Sequence, residues 1–192
     1  NDPKAAAQKL LRDIATEHAR IVYNGDNYTA EWVKEAGRRG LPNIRSTVEA
    51  LKGIPSKEHT KLFTKHNVLT AEELKARTDI LLHGYCHQIN IEAQTMLSMA
   101  RREILPVCCE FARRLGKTVE VVSTTGADAS TPTKLLKRVC ELITVLDQGI
   151  DALADRTAKT GAGHDTEKKA ESYRDDVVPA MVALRKVADE LE

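Results

Sequence analysis

The stretch from Thr70 to Leu115 reads as one helix, and a helix of that length dictates what the rest of the chain must do. Thr70 opens it, with Glu73 three residues on, the reciprocal pair that satisfies two orphan backbone donors at a helix start. Apolar side chains then return at helical spacing, at Leu74, Leu81, Tyr85, Ile89, Ala93, Met96, Ala100, Ile104, Val107, Phe111 and Leu115. From Tyr85 the steps repeat as four, four, three, an eleven-residue pattern that suits a straight or slightly right-handed stripe. Pro106 falls inside it, and because its ring removes a donor and crowds the preceding turn, a kink is expected there, not a stop. At 1.5 Å per residue the run spans roughly 70 Å, more than the diameter of a small domain. Such a helix cannot bury its stripe unaided.

The flanking segments supply helical partners. Aromatic residues make up only 4% of the 192 residues, and Gly and Pro gather between periodic segments instead of recurring at strand-like intervals, so the fold class is all-α. Asp2 and Pro3 suit a helix start, and Leu10, Leu11, Ile14, His18, Ile21 and Val22 mark one face of a helix ending near Asn24-Gly25. Thr29 caps a short helix carrying Trp32 and Val33 that ends at Gly40. Ser46 and Glu49 form a second capping box, and Ser56 caps a helix with Leu62 and Phe63 on its inner side. Beyond the long helix, Gly116 reads as its C-cap, and 117–130 is a linker with no assigned structure. From Thr131 onward Leu136, Val139, Ile143, Leu146, Ile150 and Leu153 alternate in steps of three and four. Gly161 and Gly163 break the pattern, and Ala170, Tyr173, Val177, Ala180, Leu184, Val187 and Leu191 resume it, an antiparallel heptad hairpin in which Pro179 should bend the second helix.

The organisation expected is therefore a small-helix subdomain at 1–69, a long connecting helix at 70–116, a linker at 117–130 and a helical hairpin at 131–192. The small helices pack on one end of the long helix, and the hairpin forms a three-helix bundle on the other, along about Ile89 to Leu115. Leu74, Leu81 and Leu82 are then left to Trp32, Leu62 and Phe63. No run approaches the roughly 18 apolar residues of a membrane span. Lys plus Arg number 29 against 28 for Asp plus Glu, so charge gives no case for nucleic acid or an anionic membrane as partner. Cys86, Cys108, Cys109 and Cys140 lie in helical patterns without a C-x-x-C pair and read as reduced, mostly buried thiols of a cytoplasmic protein. With no initiator Met and no basic-then-apolar leader, and with Asn1-Asp2-Pro3 directly at a helix start, the sequence reads as a piece of a longer polypeptide.

No phosphate-binding glycine-rich loop, nucleophile elbow or H-E-x-x-H motif occurs, and no catalytic or cofactor-binding residue is assigned. The one ligand-like cluster is His83, Cys86 and His87, two imidazoles one turn apart with a thiol beside them. As metal candidates they need a further ligand from another element, with His59 and His66 available; the bland alternative is a solvated helix face. Adjacent Cys108 and Cys109 point about 100° apart and do not suit a redox pair. Arg101-Arg102 and Arg113-Arg114, interleaved with Glu103 and Glu110, suit surface ion pairs better than an anion patch. Asn90, Glu92, Gln94 and Thr95 interrupt a dense apolar stripe; either they form a solvated outer face or any of them that is buried needs a partner, Arg101 or a basic residue of the small N-terminal helices.

Four irregular stretches carry a resemblance: IVYNGDNYTAEWVKEAGRRGLPN from Ile21 to Asn43, STVEAL from Ser46 to Leu51, LFTKHNVLTAEELKAR from Leu62 to Arg77, and INIEAQTM from Ile89 to Met96. In these the chain resembles the type III glutamine synthetases, in the region that follows their catalytic domain. The hairpin from Thr131 resembles that family in layout more than in words. Asn67 stands where Gly is expected, a mild departure because Asn tolerates the left-handed backbone Gly serves there. Cys108-Cys109 stand where small residues are usual. The resemblance implies a parent ATP- and Mg-dependent ligase that phosphorylates the glutamate side chain and displaces the phosphate with ammonia, working as a large homo-oligomer of stacked rings. The family's metal-binding carboxylates and phosphate-contacting arginines lie upstream, so none is carried onto this chain. The expected role is that of a non-catalytic helical region whose partner is the upstream catalytic domain, shaping the subunit and its oligomer contacts. The rival readings are a free-standing helical interaction module and a metal-binding helical bundle built on His83 and His87.

Overall fold

The computed structural model describes residues 2–192, and every regular element among them is helical. The chain divides into two units, up to Arg45 and from Ser46 onward.

In the first unit Asp2 caps α1 (Pro3–Glu17), its Oδ1 accepting from the Lys4 amide at 3.0 Å. The helix stops at His18, short of the expected Asn24-Gly25, and only a 3-10 turn at Ala19–Ile21 follows. Leu10, Leu11, Ile14, Ile21 and Val22 are exposed, so no packed face holds further turns in register. Thr29 caps α2 (Ala30–Arg38) by accepting from the Trp32 amide, as its position predicted. Trp32 stacks on Tyr23 at 4.3 Å, and the Arg39 guanidinium lies 5.7 Å from the centre of each ring. Arg39 also donates to the Val22 carbonyl at 2.8 Å and to Glu35 at 2.5 Å, tying the irregular segment to α2. A Cβ at Gly25 would sit 2.6 Å from the far edge of the Tyr23 ring, so any larger residue there would shift that ring in its stack. Hydrogen bonds from Arg38 and then Arg39 hold the Glu35 carboxyl down at about 2.

The second unit begins with α3 (Thr47–Gly53) and α4 (Lys57–Lys65). Asn67, just beyond α4, has φ 52°, and the Val68 amide donates back to the Phe63 carbonyl at 3.0 Å. Asn therefore performs the left-handed helix stop anticipated for it. The capping box at Thr70 and Glu73 is complete, with bonds of 2.8 and 3.2 Å. From it α5 (Ala71–Met99) runs through a π turn at Ala100–Ile104 into α6 (Leu105–Thr124). After a turn, α7 (Ser130–Gly161) folds back, followed by α8 (Thr166–Ser172), a second π turn at Tyr173–Val177, and α9 (Val178–Leu191).

Both π turns precede a proline in the same way. The Leu105 amide reaches back five residues to Ala100, and the Val178 amide to Tyr173, with Pro106 and Pro179 next in sequence. The wider turn accommodates a ring that neither donates nor fits against the preceding carbonyl. Arg156 of α7 donates to the Asp176 carbonyl at 3.1 Å beside the second.

The first π turn resets the stripe. Its extra residue moves the inner positions one place along, from the expected Val107 and Phe111 to Cys108 and Ala112. Val107 and Phe111 turn outward instead, 69% and 46% exposed. Leu105, Cys108, Ala112, Leu115, Val119 and Val122 are half-buried in steps of three and four, the rhythm of the helix α7 beside them. Gly116 consequently lies inside α6 and caps nothing; the stop falls at Gly126, with φ 75°. The segment left unassigned is helix to Thr124, then a turn in which Asp128 accepts from the Ser130 amide at 2.8 Å.

Upstream, the buried positions of α5 are Leu74, Thr78, Leu82 and Cys86, so Leu82 and not Leu81 faces inward. Leu62 is exposed rather than internal. Each predicted heptad position of α7, α8 and α9 is buried or half-buried. Leu146, Ile150 and Leu153 form one continuous core with Val48, Leu51, Leu82, Ala93, Leu97, Tyr173, Val177 and Leu184. The hairpin reaches further along the long helix than expected: α8 packs on α5 near Cys86. There α3 joins it, with Lys52 paired to Glu167 at 2.9 Å and to Glu171. Ser46 caps α3 as expected, but Glu49 does not complete the box and lies 3.8 Å from Arg174.

Two outcomes follow. Leu146→Ala, at a position with 0% exposure, should cost about 2–5 kcal/mol. Because Val48 and Leu184 share its core, urea denaturation followed by circular dichroism should show one shifted transition for 46–192 instead of separate melting of α3 and the hairpin. In the first unit, a depressed carboxyl stabilises fully above its ordinary value near 4.5 and loses that effect as pH falls through about 2. The fluorescence of Trp32 should therefore change over that acid window, and Glu35→Gln should remove the change.

Candidate functional site

His83, Cys86 and His87 sit together because α5 is regular through this stretch, which puts residues four apart on one face. Cys86 points into the core at 5% exposure, while both imidazoles remain exposed at its rim. The opposite wall is the turn between α7 and α8. Gly161, Gly163, His164, Thr166 and Lys169 line a cleft of about 380 Å³ with the three α5 residues and Asn90, and Tyr173 closes its floor. Lys169 Nζ donates to the Gly161 carbonyl at 2.9 Å, pinning the turn. Burial pushes the Cys86 thiol up from its ordinary value, and burial likewise raises the Tyr173 phenol.

The residue that joins the pair of histidines is His164, not His59 or His66. The His59 ring bonds the Gly53 carbonyl at 2.8 Å, and His66 ends α4. Among the described residues no group of three or more His, Cys, Asp or Glu side chains is placed to hold a metal ion. His164 and Lys169 were missed because their place opposite His83 depends on how far the hairpin slides along α5. The only signal was the glycine-flanked turn itself, Gly161-Ala162-Gly163-His164.

The other polar candidates have ordinary partners. Asn90 is half-buried and lines the cleft, whereas Glu92, Gln94 and Thr95 are exposed and Glu92 accepts from Gln88 at 2.7 Å. Arg101 lies 3.8 Å from Asp151 of α7 and not against Asn90 or Glu92. Arg113 and Arg114 converge on Glu110 at 2.7 and 3.0 Å, and these bonds hold its carboxyl down at about 2. All four cysteines are free, but only Cys86 is buried; Cys109 and Cys140 are exposed, correcting the expectation of mostly buried thiols. For Cys109 the reason is its place on the outer face of α6, next to the half-buried Cys108 that the π turn rotates inward.

A second concavity lies between the end of α5, the start of α6 and α9. It is an open groove of about 820 Å³ whose apolar lining includes Ile91, Met96, Met99, Ile104, Val107, Met181 and Leu184.

Residues 6–123 match the family model described as glutamine synthetase C-terminal domain, a span that contains all four irregular stretches quoted above. A glutamine synthetase of Butyrivibrio fibrisolvens is 31% identical over 191 residues, covering 98% of this chain and 27% of the relative. A type-3 glutamine synthetase of Dictyostelium discoideum is 30% identical over 195 residues, covering 98% of this chain and 26% of its own length. A glutamine synthetase of Bacteroides fragilis (strain YCH46) is 24% identical over 190 residues, with 96% and 26% covered. These alignments take in the hairpin beyond residue 123. The chain spans about a quarter of the length of these curated relatives.

Thiol reactivity should follow the burial. A disulfide reagent added to the folded chain should modify Cys109 and Cys140 within minutes and Cys86 only after denaturant is added, as read by mass spectrometry of tryptic peptides.

Proposed function

The chain belongs to the family of glutamine synthetase C-terminal domains, and from that premise we propose that it is the non-catalytic helical region of a glutamate–ammonia ligase. It follows the catalytic domain of the same polypeptide, shapes the subunit and supplies contacts in a cytoplasmic homo-oligomer. In this reading ATP and Mg serve the parent enzyme, and the nitrogen chemistry that makes glutamine happens upstream.

The observation that carries the reading is the way the chain is covered by its relatives and uncovered in space. Nearly all of it aligns to about a quarter of each relative. Within 2–45, Leu10, Leu11, Ile14, Ile21, Val22 and Tyr28 are exposed, Tyr28 fully so, an apolar concentration that a lone small module does not keep in water. The polar turn at Gly25–Tyr28, stabilised internally by Asp26 accepting from the Tyr28 amide at 2.9 Å, projects Tyr28 toward a neighbouring part of the enzyme in this reading. The apolar groove beside α9, with Met99, Val107 and Phe111 exposed at or near it, is the face that meets another subunit.

Two measurements test this. The 192-residue chain alone, given glutamate, ammonia and MgATP, should form no glutamine and release no glutamate-dependent phosphate; turnover by the chain alone overturns the non-catalytic role. In the longer polypeptide, Val107→Glu combined with Phe111→Glu should lower the assembly state seen by analytical ultracentrifugation while the helical signal of the isolated chain stays unchanged. Assembly that is indifferent to both charges overturns the subunit contact.

A further inference from the structure

We infer that the cleft between α5 and the turn before α8 binds a small oxyanion through its phosphate or carboxylate group. Independently of the family reading, the inference rests on how charge is divided between the two sides of α8. His83 and His87 face His164 and Lys169 across the opening, Asn90 and Thr166 add neutral donors, and no carboxylate is among its lining residues. Of the acids nearby in sequence, Asp79, one turn before His83 on α5, is not among the lining residues, and the others are engaged elsewhere. Asp165, between His164 and Thr166, accepts from the Lys168 amide at 2.9 Å as the cap of α8. Glu167 and Glu171 both turn to Lys52 on α3, and Glu92 takes the Gln88 amide. One side of α8 thus neutralises its own charge, and the other gathers an ammonium and three imidazoles with no carboxylate lining the cleft.

An anion fits this arrangement and a cation does not. Lys169 uses one of its three N–H groups on the Gly161 carbonyl and keeps two for a ligand. Each imidazole offers at least one N–H, and bonds from charged donors to an oxyanion are short and strong. The Lys169 charge repels a metal that His83 and His87 would otherwise invite. At about 380 Å³ the cleft falls within the roughly 300–1,000 Å³ usual for small-molecule sites. The buried floor of Cys86 and Tyr173 gives the remainder of such a molecule an apolar wall.

The test uses the six histidines as reporters. The imidazole C–H signals of the 192-residue chain are followed by NMR as inorganic phosphate, succinate, sodium chloride or zinc is added at matched ionic strength. The signals of His83, His87 and His164 should move along one saturating curve with phosphate or with succinate, and those of His18, His59 and His66 should stay. A response to phosphate alone assigns a phosphoryl ligand, and a response to succinate alone a carboxylate. Lys169→Met should weaken binding at least about tenfold, the loss of roughly one charge-assisted bond. His83→Gln should also weaken it while leaving the circular dichroism spectrum unchanged, since His83 is exposed. Movement of all six signals together, an equal response to chloride, a saturating response to zinc alone, or unchanged affinity in both variants would each overturn the assignment.

Discussion

The second unit depends on one apolar seam. Leu146, Ile150 and Leu153 of α7 are almost wholly removed from water, and α7 is the helix that touches both the long α5–α6 rod and α9. A rod running from Ala71 to Thr124 spans roughly 80 Å and cannot be shielded by any one partner. Several helices share its cover, with α3 and α8 on the rod near Leu82 and Cys86, α7 and α9 on its middle, and α7 alone on its far end. Since Val48, Leu82, Leu146 and Leu184 belong to one cluster, loosening any of these partners exposes surface buried by the others.

The two prolines turn a defect in that seam into a register device. A π turn before Pro106 adds one residue to the helical path, and everything downstream rotates by the angle of one residue. Upstream the rod follows its own spacing; downstream, Leu105, Cys108, Ala112 and Leu115 adopt the alternation of three and four that α7 presents to them. The same device precedes Pro179, where Tyr173 and Val177 nevertheless both stay buried because they lie one wide turn apart.

Surface chemistry follows from which faces the seam leaves free. α8 is clasped by Lys52 through two carboxylates, which removes acid from its other side and leaves His164 and Lys169 facing His83 and His87. On α6 the rotation that brings Cys108 inward brings Val107 and Phe111 out, beside a groove that α9 only partly closes. In 2–45, packing is concentrated on Tyr23, Trp32 and Arg39, and the stripe of α1 finds no cover within the unit.

Periodicity and end signals were enough to read the helical class, the capping box at Thr70, the left-handed stop at Asn67, and the inward positions of α7, α8 and α9, because each depends on residues within a turn or two of one another. The irregular stretches between Ile21 and Met96 likewise carried the family, because specific strings of side chains survive in sequence without any knowledge of contacts. The continuation of α6 past Gly116, the exchange of Leu81 for Leu82, and the outward turn of Val107 and Phe111 were decided elsewhere. They depend on the partner helix and on the phase of a π turn, both set by contacts between residues far apart in the chain. His83 and His87 were visible as a pair from their spacing, yet their meeting with His164 and Lys169 was not. That meeting is settled by how far one helix slides along another, and only the burial of the whole seam determines it.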